Sequence, residues 1–232
     1  MKIQDSVVFV TGGNRGLGRS LVEQALARGA SKVYAAARDP KTITNPDVVP
    51  VALDITDPES VTAAARLAGD VTILVNNAAI AISAGFLDSS VDEVRREFET
   101  NFYGPLHVTR AFAPLLVRNG GHLLNIHSAL SWLAISGSYS ASKAALWSMT
   151  NSLRLELQPQ GVGVTGLHVA YVDTEMAAHI TGPKTSPAEV ARQAYDGIEA
   201  GAAEILADDV TRSVKAGLAA DLTALYPQLA GA

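Results

Sequence analysis

Short apolar runs alternate with helical stretches along almost the whole chain, and this alternation restricts the fold more than any other feature of the sequence. Val7 to Val10 reads as a buried strand, and Leu17 to Ala27 as a helix after a glycine-rich turn. Strands follow at Lys32 to Ala36, Val49 to Leu53, Val71 to Val75, Leu123 to Ile126, Val162 to Val169 and Glu204 to Leu206. Helical patterns occupy the stretch after Asp57-Pro58, a long region from about Val91 to Val117, Tyr139 to about Leu157, Pro187 to Ile198 and the C-terminal end. Short apolar strands separated by helices imply parallel strands, buried on both faces and joined by right-handed crossovers. A closed eight-fold α/β barrel needs about 250 residues and eight regular units. About seven strands, with a glycine turn after the first, point instead to an open α/β sheet. The expectation is one doubly wound domain over residues 1–232, with a parallel sheet of about seven strands and helices on both faces.

Composition removes several function classes. Eighteen Lys and Arg against 23 Asp and Glu leave a net charge of −5 with no basic run, so neither nucleic acid nor an anionic membrane is an expected partner. The absence of cysteine excludes disulfides, thiolate nucleophiles and Cys-based zinc sites, and no metal site is expected. Met1 to Asp5 carries no apolar leader, and no apolar run reaches about 18 residues. A cytoplasmic protein is expected.

The first turn, Thr11-Gly12-Gly13-Asn14-Arg15-Gly16-Leu17-Gly18, joins strand to helix. Glycines there let backbone N–H groups approach a pyrophosphate, and the helix N-terminus supplies positive potential. An acidic residue about 20 positions on would suit the ribose of NAD, whereas an Arg suits the 2′-phosphate of NADP. The chain has Ala37 then Arg38 there, and Arg15 in the turn is placed to join Arg38 on the phosphate; Asp39 dissents. NADP(H) is the expected cofactor, with NAD as the alternative.

Tyr139 and Lys143 lie one turn apart on one helical face. An ammonium about 5 Å from a phenol, at an effective dielectric of about 20, favours the phenolate by roughly 3 kcal/mol, or about two pKa units. That would bring the phenol from about 10 toward about 8, within reach of acid–base work near neutral pH.

Thr11 to Gly18, Asn76-Asn77-Ala78-Ala79 after the fourth strand, Asn101, Ser128 and the Tyr139/Lys143 pair together resemble the short-chain dehydrogenase/reductase family, in its order and roughly its spacing over residues 5–210. The resemblance implies a Rossmann-like fold and hydride transfer between NADP(H) and a carbonyl or alcohol, as in a carbonyl reductase (ketoreductase). It implies Tyr139 as general acid, Lys143 as the group that tunes it and holds the nicotinamide ribose, and Ser128 as hydrogen-bond partner of the substrate oxygen. Asn101 would position a water linking Lys143 to solvent. Gly12, Asn14, Arg15, Gly16, Leu17, Gly18 and Arg38 would hold the phosphates, Asp54 and Ile55 the adenine, Asn77 and Ala78 the adenosine side, and Val172 and Thr174 the carboxamide. Asp54 has a second reading as a cap for the helix after Asp57-Pro58.

Four departures from the family pattern stand out. Ser128 precedes Tyr139 by only 11 residues, which demands a tight loop, and His127 replaces a small residue and is expected to pack behind the site. Ala79 and Val169-Ala170 replace a frequent Gly and Pro-Gly. Trp132, Leu133, Tyr171 and Met176 are expected on the substrate wall, favouring a hydrophobic ketone or aldehyde. A short lid over about 175–187 suggests an open pocket and a broad substrate range. The long helices resemble those through which family members form homodimers or homotetramers. Rival readings are an NAD-dependent alcohol dehydrogenase of the same family and a non-catalytic NADP-sensing regulator.

Overall fold

The computed structural model describes residues 1–229; the end of the expected domain, 230–232, lies outside the described residues. Seven parallel strands form one sheet in the order β3-β2-β1-β4-β5-β6-β7: β1 (Val7–Thr11), β2 (Lys32–Ala37), β3 (Val49–Ala52), β4 (Ile73–Asn76), β5 (His122–Ile126), β6 (Gly163–His168) and β7 (Glu204–Leu206). The strand order reverses between β1 and β4, where Val10 pairs with Val75. This switch point leaves a crevice at the carboxyl ends of the strands. The expected doubly wound α/β architecture is the one observed.

Successive strand residues go to opposite faces, and each face carries its own helices. Val8, Val10, Ile73, Val75, Leu124 and Ile126 pack against α1 (Gly16–Ala27) and α6 (Pro187–Ala200). Phe9, Leu74 and Leu123 face the other way, toward α2 (Pro58–Leu67), α4 (Gly104–Asn119) and α5 (Gly137–Leu157). Phe9 anchors that second layer, with its ring centroid 4.7 Å from that of Phe112. Local chemistry sets the helix ends. Asp57 accepts from Glu59 N ahead of Pro58, and Gly120 closes α4 in the left-handed region at φ 62°. Two short helices, α7 (Asp209–Gly217) and α8 (Leu222–Leu225), follow β7.

The long helix expected over 91–117 is not continuous. It divides into α3 (Val91–Phe98), opened by a Ser90/Glu93 capping box, a π-helical turn Glu99–Tyr103, and α4. A π turn inserts one residue into the helical ladder, a change that apolar periodicity does not register. Among the described residues no helix is long and apolar enough to cross a membrane.

Candidate active site

The crevice beside the β1/β4 switch gathers most of the residues singled out in the sequence. After β1 the chain turns through Gly12 (φ 65°) and Gly16 (φ 51°) into α1. A Cβ on Gly18 would lie 1.9 Å from the Gly12 carbonyl oxygen, and one on Gly12 would crowd Asn77 and Ala78. Only glycine allows this approach, and the turn leaves its backbone beside the α1 N-terminus, as a dinucleotide phosphate requires. Asn77 braces the turn, its Nδ2 donating to Thr11 O at 2.9 Å, while Asn77 N and Ala78 N both donate to Thr11 Oγ1. Leu17 packs into the core beneath.

Around the rim, Arg38 stands exposed at the end of β2. Asp39 is turned away onto the next turn, accepting from Lys41 N at 3.0 Å. Asn14 Nδ2 reaches Thr42, and Arg19 clamps the Asn14 carbonyl. The Arg15 guanidinium, expected to join Arg38 on the phosphate, is paired with Glu175, at the head of the segment after Thr174. Asp54 does not cap α2, since Asp57 does. Its Oδ1 accepts from Thr56 N and Oγ1 instead, and these bonds, helped by Arg38, hold its carboxyl below the usual range. The Ile55 side chain is buried against Gly104.

Ser128, Tyr139 and Lys143 meet at the end of β5. The short loop between Ser128 and Tyr139 is accommodated by a 3₁₀ turn at Ala129–Ser131 and by α5 beginning at Gly137, two residues before the tyrosine. Gly137 (φ 47°) lies where a Cβ would be 2.1 Å from the Ala84 carbonyl. Lys143 is buried, with Nζ 3.0 Å from Ile126 O and 5.8 Å from the centre of the Tyr139 ring. Burial pushes its pKa down to about 8, which the Glu97 carboxylate opposes. Tyr139 keeps partial access to the cleft, but the protein packed around its hydroxyl pushes its pKa up to about 12. Glu97 adds to that rise, and the Ser128 hydroxyl opposes it. The expected fall toward 8 is therefore not produced by this chain. Desolvation of the phenol, with the Glu97 carboxylate, outweighs the Ser128 hydroxyl.

Asn101 is fully buried in the π turn. Its Oδ1 accepts from Ile80 N, and its Nδ2 donates to Ile80 O and Ser142 Oγ. The side chain thus holds the segment after β4 against α5.

Sequence reasoning missed Glu97. This buried carboxylate accepts from Ile82 N at 2.7 Å, from Ser83 N and from the Ser138 hydroxyl, joining the 80–84 loop to the start of α5. An acidic residue among Arg95, Arg96 and Glu99 looks like part of a solvated face; only the π turn and the loop fold rotate it inward.

Of the expected substrate wall, Leu133 is half-buried, and Tyr171 (40%) and Met176 (47%) are exposed. Trp132 is not part of that wall. Its ring is buried on His168, 3.9 Å between centroids and 13° from parallel. Val172 pairs with Thr185, and Asp173 N donates to Thr185 O, so both ends of the lid segment are pinned. Thr174 touches the glycine turn at Gly16.

Residues 6–184 match the family model described as short chain dehydrogenase. The NADPH-dependent 1-acyldihydroxyacetone phosphate reductase of Schizosaccharomyces pombe is 32% identical over 79% of this chain and 66% of its own. The chain spans two thirds or less of the length of several curated relatives that it matches. Among solved structures, a short chain dehydrogenase from Burkholderia cenocepacia in complex with NADP is 40% identical, covers 99% of both chains and superposes with a TM-score of 0.94. A Burkholderia phymatum member in complex with NAD is 24% identical, with a TM-score of 0.85 over 93% of each chain, and shares the fold.

Proposed function

The chain belongs to the short chain dehydrogenase family, and from that premise we propose that it is an oxidoreductase, an NADP(H)-dependent carbonyl reductase acting on hydrophobic ketones or aldehydes. The observation that carries the reading is the meeting of Ser128, Tyr139 and Lys143 beside the Gly12–Gly18 turn. The turn fits the dinucleotide, because positive φ at Gly12 and Gly16 and the close approach of Gly18 to the Gly12 carbonyl bring its backbone round to the N-terminus of α1. Gly12, Asn14, Gly16, Leu17 and Gly18 would hold the pyrophosphate, Asp54, Ile55, Asn77 and Ala78 the adenosine, and Val172 and Thr174 the carboxamide. When bound, NADPH supplies the hydride for the carbonyl carbon.

Tyr139, protonated throughout the physiological range, gives its phenolic proton to the substrate oxygen. Ser128 hydrogen-bonds that oxygen as charge develops on it. Lys143 holds the ribose and keeps positive charge beside the phenol, and Asn101 fixes the Ile80 segment that borders the pocket. Preference for NADP(H) is supported by Arg38 standing free with Asp39 turned away, and by the 40% identical relative solved with NADP. The apolar mouth of Leu133, Tyr171 and Met176 supports a hydrophobic substrate, the pinned segment 175–187 would be its lid, and a cytoplasmic homodimer or homotetramer completes the proposal.

The test is consumption of NADPH, with NADH alongside, over aliphatic, aryl and quinone carbonyls, by the protein and its Tyr139→Phe variant. The expected result is turnover with NADPH that collapses in the variant. Equal use of NADH overturns the coenzyme assignment. NADPH binding without turnover of any carbonyl overturns the reductase assignment in favour of a sensing role.

A further inference from the structure

Behind Ser128 a chain of side chains crosses the sheet without touching the proposed chemistry. His127 and His168 are buried, their ring centroids 4.6 Å apart at 78°. His168 Nδ1 lies 3.2 Å from the Ser128 carbonyl oxygen, and His168 Nε2 lies 3.1 Å from His127 Nδ1. His127 Nε2 is 2.8 Å from Thr150 Oγ1, which accepts from Asn125 Nδ2. A carbonyl oxygen only accepts, so His168 must carry a proton on Nδ1. In a neutral ring its Nε2 is then a lone pair, which requires Nδ1–H on His127. Fixed in this way from the Ser128 end, His127 presents a lone pair at Nε2 and takes the Thr150 hydroxyl proton in competition with Leu146 O, 2.8 Å from the same oxygen.

The surroundings keep both rings neutral. Burial dominates, and Lys143 and Arg154 of α5 and Lys215 of α7 oppose added charge. Glu204 of β7 pulls the other way, with Oε1 3.8 Å from His168 Nε2. It is already engaged by Lys215 Nζ at 2.7 Å and Trp147 Nε1 at 3.2 Å. Trp132 covers the face of His168.

We propose that His127 and His168 are a positioning pair for the catalytic serine, both neutral and both protonated on Nδ1, which add a side-chain hydrogen bond to the Ser128 carbonyl and so help to orient its peptide. The inference rests on the reading of Ser128 as the partner of the substrate oxygen. Because the chain ends on a carbonyl, it passes no proton and is separate from the acid–base chemistry. It supplements backbone bonds at the same peptide, where Ser131 N donates to the Ser128 carbonyl at 3.0 Å and Ala129 N to Val169 O at 3.0 Å, while Ser128 N reaches Ser131 Oγ at 3.3 Å. His122 provides an internal contrast. Its Nε2 faces Thr165 Oγ1 at 2.8 Å, and Thr165 spends its proton on Ala202 O, so His122 must carry its proton on Nε2.

Imidazole ¹⁵N NMR of the wild-type protein at pH 7 reads these tautomers directly. The expected result is Nδ1–H on His127 and His168 and Nε2–H on His122; Nε2–H or double protonation on His168 overturns the proposal. Kinetics supply the second arm. His168→Asn places an amide N–H where Nδ1 stands and should keep kcat within about threefold, whereas His168→Gln reaches only the Nε2 position. The Gln variant should lose about 10- to 100-fold in kcat with the KM for NADPH unchanged, the scale of a small misplacement at a reacting centre. Equal losses in both variants, tracking their melting temperatures, would mean mere packing and overturn positioning. Ser128→Ala separates the two levels. If it is inactive while His168→Gln is normal, the positioning role alone fails. If it keeps full turnover, the serine reading fails and the positioning role with it.

Discussion

Lys143 Nζ stands 3.0 Å from the carbonyl oxygen of Ile126, two residues before Ser128, so one buried ammonium links the helix that carries Tyr139 to the end of the strand that leads to the serine. The price of that placement is desolvation, which brings the lysine to about 8 while Tyr139 rises to about 12.

The first prediction follows from those two values. Tyr139 stays protonated well past neutrality, so it imposes no limit on carbonyl reduction below about pH 10. Lys143 carries its charge below about 8 and loses it above. The kcat/KM for NADPH, which reports groups of the free enzyme, should therefore be level through neutrality and fall above about pH 8 with a one-proton slope. Lys143→Arg, which stays charged, should lose that limb even if its rate is low. A wild-type profile level to pH 10 would contradict the assignment.

Glu97 sets the second prediction. Its carboxylate raises the pKa of both Tyr139 and Lys143. Removing the charge in Glu97→Gln should move the alkaline limb to lower pH. The Gln oxygen can still accept from Ile82 N, so the loss falls mainly on the Ser138 contact. A stability cost of about 1–3 kcal/mol is expected for the impaired buried hydrogen bonding. Urea unfolding and the pH–rate profile measure the two effects separately.

Coenzyme choice gives the third. Arg38→Asp should raise the KM for NADPH about 10- to 100-fold, the worth of a charge-assisted hydrogen bond to phosphate, and leave NADH unharmed. Arg15 is engaged with Glu175, so Glu175→Gln should free it. NADPH affinity should then improve by no more than about fivefold, because the pair is exposed and weak. Paired KM measurements with both coenzymes decide the matter.

The fold was legible because short continuous apolar strands, the helical periods between them and the capping residues all point the same way. Val7–Thr11, the glycine turn and α6 behind Ser186 and Pro187 fall within a residue or two of expectation. The chemical groups at the site were legible too, as a pattern of residue types. What sequence hid was orientation and environment. Trp132 looked like a pocket wall and is a cover for His168. Arg15 looked free for phosphate and is paired with a residue 160 positions away. Spacing put Tyr139 and Lys143 together but carried no information about their desolvation, which reversed the expected direction of the phenol shift.

The buried histidines make a last prediction, about acid. His122 and His168 are each held at about 4 by burial, and His127 is pushed well below its ordinary 6.5. In the unfolded chain all three titrate near 6.5, so between about 6.5 and 4 the unfolded state binds more protons than the folded one. Stability must then fall as pH falls through that window, by up to about 1.4 kcal/mol per pH unit for each histidine and about 3 kcal/mol in full for His122 or His168. Against a total of about 5–15 kcal/mol, His122 and His168 alone remove a large fraction of the stability by about pH 4, and His127 acts in the same direction. His122→Gln retains a donor toward Thr165 and removes one titrating ring, so its stability should depend on pH less steeply by one proton. Urea unfolding at pH 7, 6 and 5 measures both slopes, and equal slopes for variant and wild type would show that His122 is not held neutral by burial.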